Sequence, residues 1–176
     1  MEEVEPPAVE EAASLWNGLV TTELRTSVWP SIREMVSEGA ARFMDPFLAE
    51  APVWTLEQYM SAFGRRNRIA REWSLFFDRY PLVLGPVSTE PPFIVGADLE
   101  GADASARIFR SMRLVVLVNL LGLPAAAVPV GVANGLPRGV QIIGSPYRED
   151  LCLDAAQAIE DRLGALTPID PSSERH

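Results

Sequence analysis

The sequence of 176 residues contains no lysine, since all 15 of its basic residues are arginine. Arginine stays protonated far above neutral pH and does not act as a general base, so no lysine-dependent catalysis is possible on these residues alone. The single histidine, His176, is the last residue, where chains are usually poorly ordered. A Ser-His-Asp triad would rest on that end, and we expect none.

Cysteine is equally scarce, with Cys152 as its one example. A single cysteine forms no disulfide framework within the chain, which fits a reducing compartment. One cysteine and one histidine do not make a zinc site without several carboxylates. The helical spacing of Cys152 from Ala155 and Ile159 predicts a small core residue rather than a reactive thiol. No glycine-rich phosphate loop is present, and we expect neither metal nor cofactor.

Acidic residues outnumber basic ones, which gives the chain a formal net charge of -9. Such a surface repels a nucleic-acid backbone, so we expect no polynucleotide partner. The basic cluster at residues 65–68, with Arg71, is interpreted as a solvated helix face, with an anion-binding patch as the alternative. The apolar run at residues 114–123 is too short to cross a bilayer. We therefore expect a cytoplasmic protein without a membrane partner.

Apolar residues make up 48% of the chain, which is enough to form a hydrophobic core. Its first 80 residues are predicted to be mainly helical. Thr55 and Gln58 have capping-box spacing, and the apolar stripe that follows them predicts a long core helix. The predicted helices span residues 7–25, 31–37, 46–50 and 55–80.

Residues 81–165 are predicted to alternate strands and helices, before a tail at 166–176. Gly122 and Pro124 end a helix, and Asn134-Gly135 marks a turn. The small apolar residues 125–132 suit a strand buried on both faces of its sheet. The other predicted elements are strands at 81–87 and 139–144, a Pro-rich loop at 88–101 and a helix at 147–163.

Five motifs follow one another in the second half of the chain: Asn119-Leu120-Leu121-Gly122-Leu123-Pro124, Val128-Pro129-Val130-Gly131, Gly135-Leu136-Pro137, Gly139-Val140-Gln141 and Glu149-Asp150-Leu151. These motifs, in this order of helix, strands and turns, resemble the C-terminal part of the amidase signature family. The resemblance is densest from residue 119 onward and covers nearly the whole chain. It implies an α/β fold, namely the C-terminal portion of an α/β/α sandwich with a mixed sheet and a helix-rich N-terminal half, so that residues 1–176 form a partial domain.

The resemblance also implies hydrolysis of a carboxamide to a carboxylic acid and ammonia or amine. That chemistry resembles a serine activated through a second serine by a lysine, beside a Gly/Ser-rich oxyanion segment. This chain has neither the lysine nor that segment, so we assign no catalytic residue. The leading hypothesis is an inactive fragment of an amidase. The alternatives are a non-catalytic amide-binding or regulatory module and an inert gene remnant.

Four candidate substrate-binding residues lie in the loop at residues 88–101, which leaves a strand end, the usual place for ligands in open α/β sheets. The fifth, Gln141, is the one polar residue of the predicted strand at 139–144, and its amide is a candidate to orient a carboxamide ligand. For the loop, an ordinary Pro-rich crossover is an equal alternative, and for Gln141 the alternative is bonding to neighbouring backbone. Expected partners are a small-molecule amide in the complete enzyme, and an N-terminal catalytic half or a second copy. The candidate residues are Ser88, Thr89, Phe93, Ile94 and Gln141.

Overall fold

A computed structural model describes residues 2–164, apart from the side chain of Ala102. The predicted tail and His176 lie outside the described residues. Seven α-helices, a π-helical turn at Leu24–Val28, one 3₁₀ helix at Ala97–Leu99 and three strands make up the described part. The helices are α1 (Val9–Glu23), α2 (Trp29–Ile32), α3 (Glu38–Glu50), α4 (Leu56–Arg79), α5 (Ala102–Ser111), α6 (Arg113–Leu121) and α7 (Glu149–Leu163). The strands are β1 (Leu82–Pro86), β2 (Ala125–Ala133) and β3 (Leu136–Gly144).

Capping residues and a glycine set the start of one helix and the end of another, as the sequence predicts. The Thr55 hydroxyl accepts from the Gln58 backbone N–H at 3.2 Å, and the Gln58 side chain accepts from the Thr55 N–H at 2.9 Å. This reciprocal capping box begins α4. Gly122 ends α6 with a φ of 69°, a conformation that a Cβ disfavours.

Two predicted boundaries in the helical half are wrong. The segment at residues 38–50 is one helix, with Pro46 inside it, rather than a short piece beginning at Pro46. Ser37 caps this helix by accepting from the Ala40 N–H at 3.2 Å, so the true start lies earlier. The helix predicted at residues 31–37 is also misplaced. A π-helical turn at Leu24–Val28 follows α1 and leads directly into α2, which ends at Ile32.

The three strands pair antiparallel in the order β1-β3-β2. One face of the sheet packs on helices: Val83 and Ile143 join a core with Leu117 of α6 and Trp73 of α4. On the other face, a Cβ built on Gly144 would lie 2.8 Å from the Cys152 sulfur of α7. Helices on both faces give the α/β/α layering, and confirm the α/β fold class with its helix-rich N-terminal half.

Burial of β2 corrects one expectation. The sequence predicts a strand buried on both faces, but only Val128 is fully buried. Ala125, Ala127 and Pro129 are exposed on the face that α6 covers farther along the sheet. The helical layer on that face covers β1 and β3 and stops short of β2, which is an edge strand among the described residues.

The basic cluster on α4 is bonded within the chain. Arg68 donates to both carboxylate oxygens of Glu11 at 2.6 Å, and Arg65 contacts the same carboxylate at 3.4 Å. Arg66 donates to the Leu120 carbonyl at 2.6 Å and so satisfies the C-terminal end of α6. These bonds tie α4 to α1 and α6. No helix in the described part of the chain is long and apolar enough to span a membrane.

Candidate functional site

The main cavity is a cleft of about 550 Å³ between α1, α3, α5 and the 3₁₀ helix. Its 3₁₀ wall is fixed in place because the buried Ser105 hydroxyl of α5 donates to the Asp98 carbonyl at 3.0 Å. A cleft of this size suits a small organic ligand. Within residues 2–164, no cluster of histidine, cysteine and carboxylate side chains is arranged to hold a metal ion.

Four aromatic side chains form a continuous wall of the cleft. The ring centroids of Trp16 and Phe109 lie 6.4 Å apart, those of Phe109 and Phe47 lie 5.3 Å apart, and those of Phe47 and Phe43 lie 5.7 Å apart. The last two pairs are stacked. All four rings are partly exposed. Such a wall offers apolar, aromatic surface to a ligand.

Charged groups of both signs surround the aromatic wall. Arg113 and Glu10 form an ion pair at 2.7 Å. Arg42 and Arg110 also line the cleft and make no ion pair with a carboxylate of the described chain. The acidic side chains Glu50 and Asp98 complete the lining. Three arginines against three carboxylates leave the cleft without a strong net field, which suits an uncharged polar ligand.

A smaller cavity of about 380 Å³ adjoins the cleft on the far side of Glu10 and Arg113, which line both. Thr89, a predicted binding residue, lines this second cavity. The Ser88 and Ser111 hydroxyls lie 3.1 Å apart, and the Thr89 backbone N–H donates to the Ser111 carbonyl at 2.9 Å. The start of the predicted binding loop is therefore fastened to the end of α5.

The other four candidates line neither cavity, and Ser88 lies beside Thr89 at the start of the loop. Phe93 and Ile94 are exposed on the loop before the 3₁₀ helix and line neither cavity. Gln141 is 4% exposed, and its side-chain amide donates to the Pro86 carbonyl at 3.0 Å. That bond joins β3 to the end of β1. The five predicted residues do not converge on one point, and their binding role stays a prediction.

Sequence reasoning did not find the aromatic cleft. Its rings come from α1, α3 and α5, and α5 was not assigned from the sequence. The one local signal is Phe43 and Phe47, four residues apart on the same helix face. Trp16 and Phe109 are distant in sequence and meet them only through tertiary packing.

The family profile described as Amidase matches residues 1–153. The chain belongs to the amidase family. It is 38% identical, over 165 residues, to an indoleacetamide hydrolase of Bradyrhizobium japonicum, and this match covers 93% of the chain and 36% of the relative. It is 34% identical over 95 residues to one subunit of the glutamyl-tRNA(Gln) amidotransferase of Pediococcus pentosaceus, covering 54% of the chain and 19% of the relative.

Solved structures of amidase-type enzymes share this fold. The structure of 6-aminohexanoate cyclic dimer hydrolase complexed with substrate matches with a TM-score of 0.71 at 19% identity, over 93% of the chain and 38% of that structure. The corresponding glutamyl-tRNA(Gln) amidotransferase subunit of Thermotoga maritima matches with a TM-score of 0.65 at 23% identity, over 92% of the chain and 34% of that structure. The chain thus spans about a third of the length of the Bradyrhizobium japonicum relative and of these two structures.

Proposed function

We propose that this chain supplies the aryl-binding wall of an amidase-family hydrolase that acts on aromatic carboxamides. The observation that carries the proposal is the row of four rings along the cleft, with centroid spacings of 5.3–6.4 Å. The 38% identity to an indoleacetamide hydrolase supports a flat aromatic substrate. The reaction adds water across the C–N amide bond and releases a carboxylic acid and ammonia.

The chain takes part in this reaction by binding and not by bond cleavage. It contains no lysine to activate a serine. Cys152 does not replace the missing nucleophile, since it is 2% exposed and burial raises the pKa of its thiol. The nucleophile and its base therefore come from amidase residues outside these 176, and the chain alone is inactive.

Binding of indole-3-acetamide to the purified chain, measured by calorimetry, tests the substrate class. Phe47 contacts two other rings of the wall. Removing it in Phe47→Ala should weaken binding at least about fivefold, since stacking contributes about 1 kcal/mol beyond buried area. Phe63→Ala is the matched control, because Phe63 lies outside the cleft on α4 and is 42% exposed. Equal affinity in the two variants, or no binding by the parent, would contradict the proposal.

A non-catalytic amide-binding module is the second candidate, favoured by the same cleft together with the absence of lysine. The two candidates differ when the missing part of an amidase domain is supplied. If this chain is part of a catalytic amidase, the mixture then hydrolyses the amide. If the chain is a stand-alone binding module, it still binds the amide but the mixture does not hydrolyse it. An inert remnant would show neither.

A further inference from the structure

Helix α3 brings two of the four rings to the aryl cleft, the cleft that those rings line, yet it buries little of its own surface. Of its 13 residues only Ala41 and Leu48 are buried. Phe43 and Phe47 are half-buried, and they pack along the cleft wall outside the main core cluster. A helix with so few buried contacts opens more easily than a core helix unless specific bonds hold it.

Three side chains at four-residue spacing bond α3 from the outside, and we call this row the brace. Arg25, Trp29 and Arg33 follow one another from the π-helical turn to the residue after α2. The Trp29 Nε1 donates to one carboxylate oxygen of Asp45 in α3 at 2.9 Å. The Arg33 Nε lies 3.0 Å from both oxygens of the same carboxylate. The Arg33 guanidinium also lies 5.9 Å from the centre of the Trp29 ring, so the two donors pack on each other.

Arg25 holds the C-terminal end of the same helix. Its guanidinium donates to the Ala51 carbonyl at 3.2 Å and to the Ala49 carbonyl at 3.3 Å. The last carbonyls of a helix have no partner within the helix, so these bonds satisfy acceptors that are otherwise open. The helix dipole also favours a cation at this end. The brace therefore contacts α3 at two points, the Asp45 side chain and the final turn.

The brace and the rings lie on opposite faces of α3. Successive residues of an α-helix are about 100° apart, so Asp45 lies about 160° around the axis from both Phe43 and Phe47. Phe47 stacks on Phe109 of α5 at a centroid distance of 5.3 Å, while Asp45 faces α2. Neither Asp45 nor any side chain of the brace lines either cavity. Any effect of the brace on a ligand must therefore pass through the position of α3.

We propose that Asp45 is a positioning residue for ligand binding: bonded by the brace, it holds α3 at the separation from Phe109 at which the rings of α3 accept an aromatic ligand. The inference rests on the proposed function for the identity of that ligand. Without the carboxylate, α3 keeps the bonds from Arg25 and loses those from Trp29 and Arg33. The middle of the helix then moves outward and its rings separate from Phe109. Affinity falls although no atom in contact with the ligand has been removed.

Calorimetry of indole-3-acetamide binding to the full chain measures the effect. Asp45→Ala should weaken affinity roughly two- to fivefold, the range that a partly exposed ion pair contributes. Asp150→Ala is the matched control. Asp150 forms an equivalent two-bond pair with Arg148, at 2.9 and 3.0 Å, and lines neither cavity, so this variant should bind like the parent. Equal affinity of the two alanine variants would overturn the inference.

A double variant separates positioning from a general loss of structure. If Asp45 acts through the rings, Asp45→Ala should lower affinity by a smaller factor in a Phe47→Ala background than in the parent. Factors that multiply independently would overturn the inference. Arg33→Ala removes the other half of the ion pair without altering α3 itself, and it should weaken binding as Asp45→Ala does. Parent-like affinity of Arg33→Ala would likewise overturn the inference.

Hydrogen exchange of residues 38–50 gives a readout that needs no ligand. Amide exchange in α3 should be faster in Asp45→Ala than in the parent, whereas exchange in α4 should not change. Unchanged exchange in α3 would overturn the inference even if affinity falls. Faster exchange together with no binding of indole-3-acetamide by the parent would support the brace and contradict only the substrate class. Phe47-dependent binding that Asp45→Ala leaves intact would contradict only the brace.

Discussion

Ala127 and Gln141 lie side by side across the β2–β3 ladder, yet Gln141 is buried and Ala127 is exposed. The contrast within one pair locates the line at which the helical layer ends. Toward β1, α6 covers this face of the sheet, and the Gln141 side chain donates a hydrogen bond to the Pro86 carbonyl. Toward β2 the same face is open, as expected for part of a larger domain.

The Gln141 amide gives the first prediction. Gln141→Leu removes the donor and leaves the Pro86 carbonyl without that partner, so the free energy of unfolding should fall by about 1–3 kcal/mol. Urea unfolding measures the loss. Gln157→Leu is the control, because among residues 2–164 the Gln157 side chain bonds only the exposed Asp161 on its own helix. This variant should change stability by less than about 0.5 kcal/mol.

Calorimetry on the same variants separates the two interpretations of Gln141. If the amide serves only to join the strands, Gln141→Leu binds indole-3-acetamide as the parent does. A large loss of affinity in a folded Gln141→Leu protein would show that this side chain contacts ligand, as the sequence-based prediction has it.

The contact between Gly144 and α7 gives the second prediction. A Cβ at Gly144 would lie 2.8 Å from the Cys152 sulfur and 3.3 Å from the Arg148 carbonyl oxygen. Gly144→Ala should therefore force α7 away from the sheet and destabilise the fold by about 1–3 kcal/mol. Chemical unfolding measures the change. An unaltered midpoint would show that α7 is not held this closely.

Gly64→Ala is the matched control for that substitution. Gly64 lies inside α4, and a Cβ there meets nothing within 4 Å. Alanine in a helix interior is favoured over glycine by about 1 kcal/mol, so this variant should unfold at a higher denaturant concentration than the parent. The same chemical change thus stabilises α4 and destabilises the α7 contact.

The third prediction concerns pH and the Glu11 carboxylate. The hydrogen bond from Arg68 lowers the pKa of Glu11 below its usual value of 4.5. A lowered pKa in the folded state adds stability above pH 4.5, and that stability is lost as pH falls through the folded value. The pair is partly exposed, so its contribution is below about 1 kcal/mol.

Unfolding of Glu11→Gln across a pH series measures this contribution. The parent should be the more stable protein near neutral pH, and the difference should vanish in acid, where Glu11 is protonated. Glu100→Gln is the control, since Glu100 forms no ion pair within residues 2–164. A difference that grows toward acid would have the wrong sign and would contradict the ion-pair explanation.

Local patterns predicted much of the fold, and tertiary relationships account for the rest. The capping box at Thr55 and the glycine at 122 act within a few residues, so both helix ends were visible in the sequence. The exposure of Ala125 depends on where a helical layer ends, which no strand pattern encodes. The aromatic cleft likewise depends on how α1, α3 and α5 are arranged, so Trp16 and Phe109 carried no signal of a shared site.

Ammonia release from indole-3-acetamide tests the central claim most directly. The chain is assayed alone and after mixing with the remaining segment of the Bradyrhizobium japonicum hydrolase. Since the chain has an aryl cleft and no lysine, we predict no release by the chain alone and release by the mixture, reduced by Phe47→Ala. Turnover by the purified chain alone, or no turnover by a mixture that has demonstrably assembled, would contradict this account.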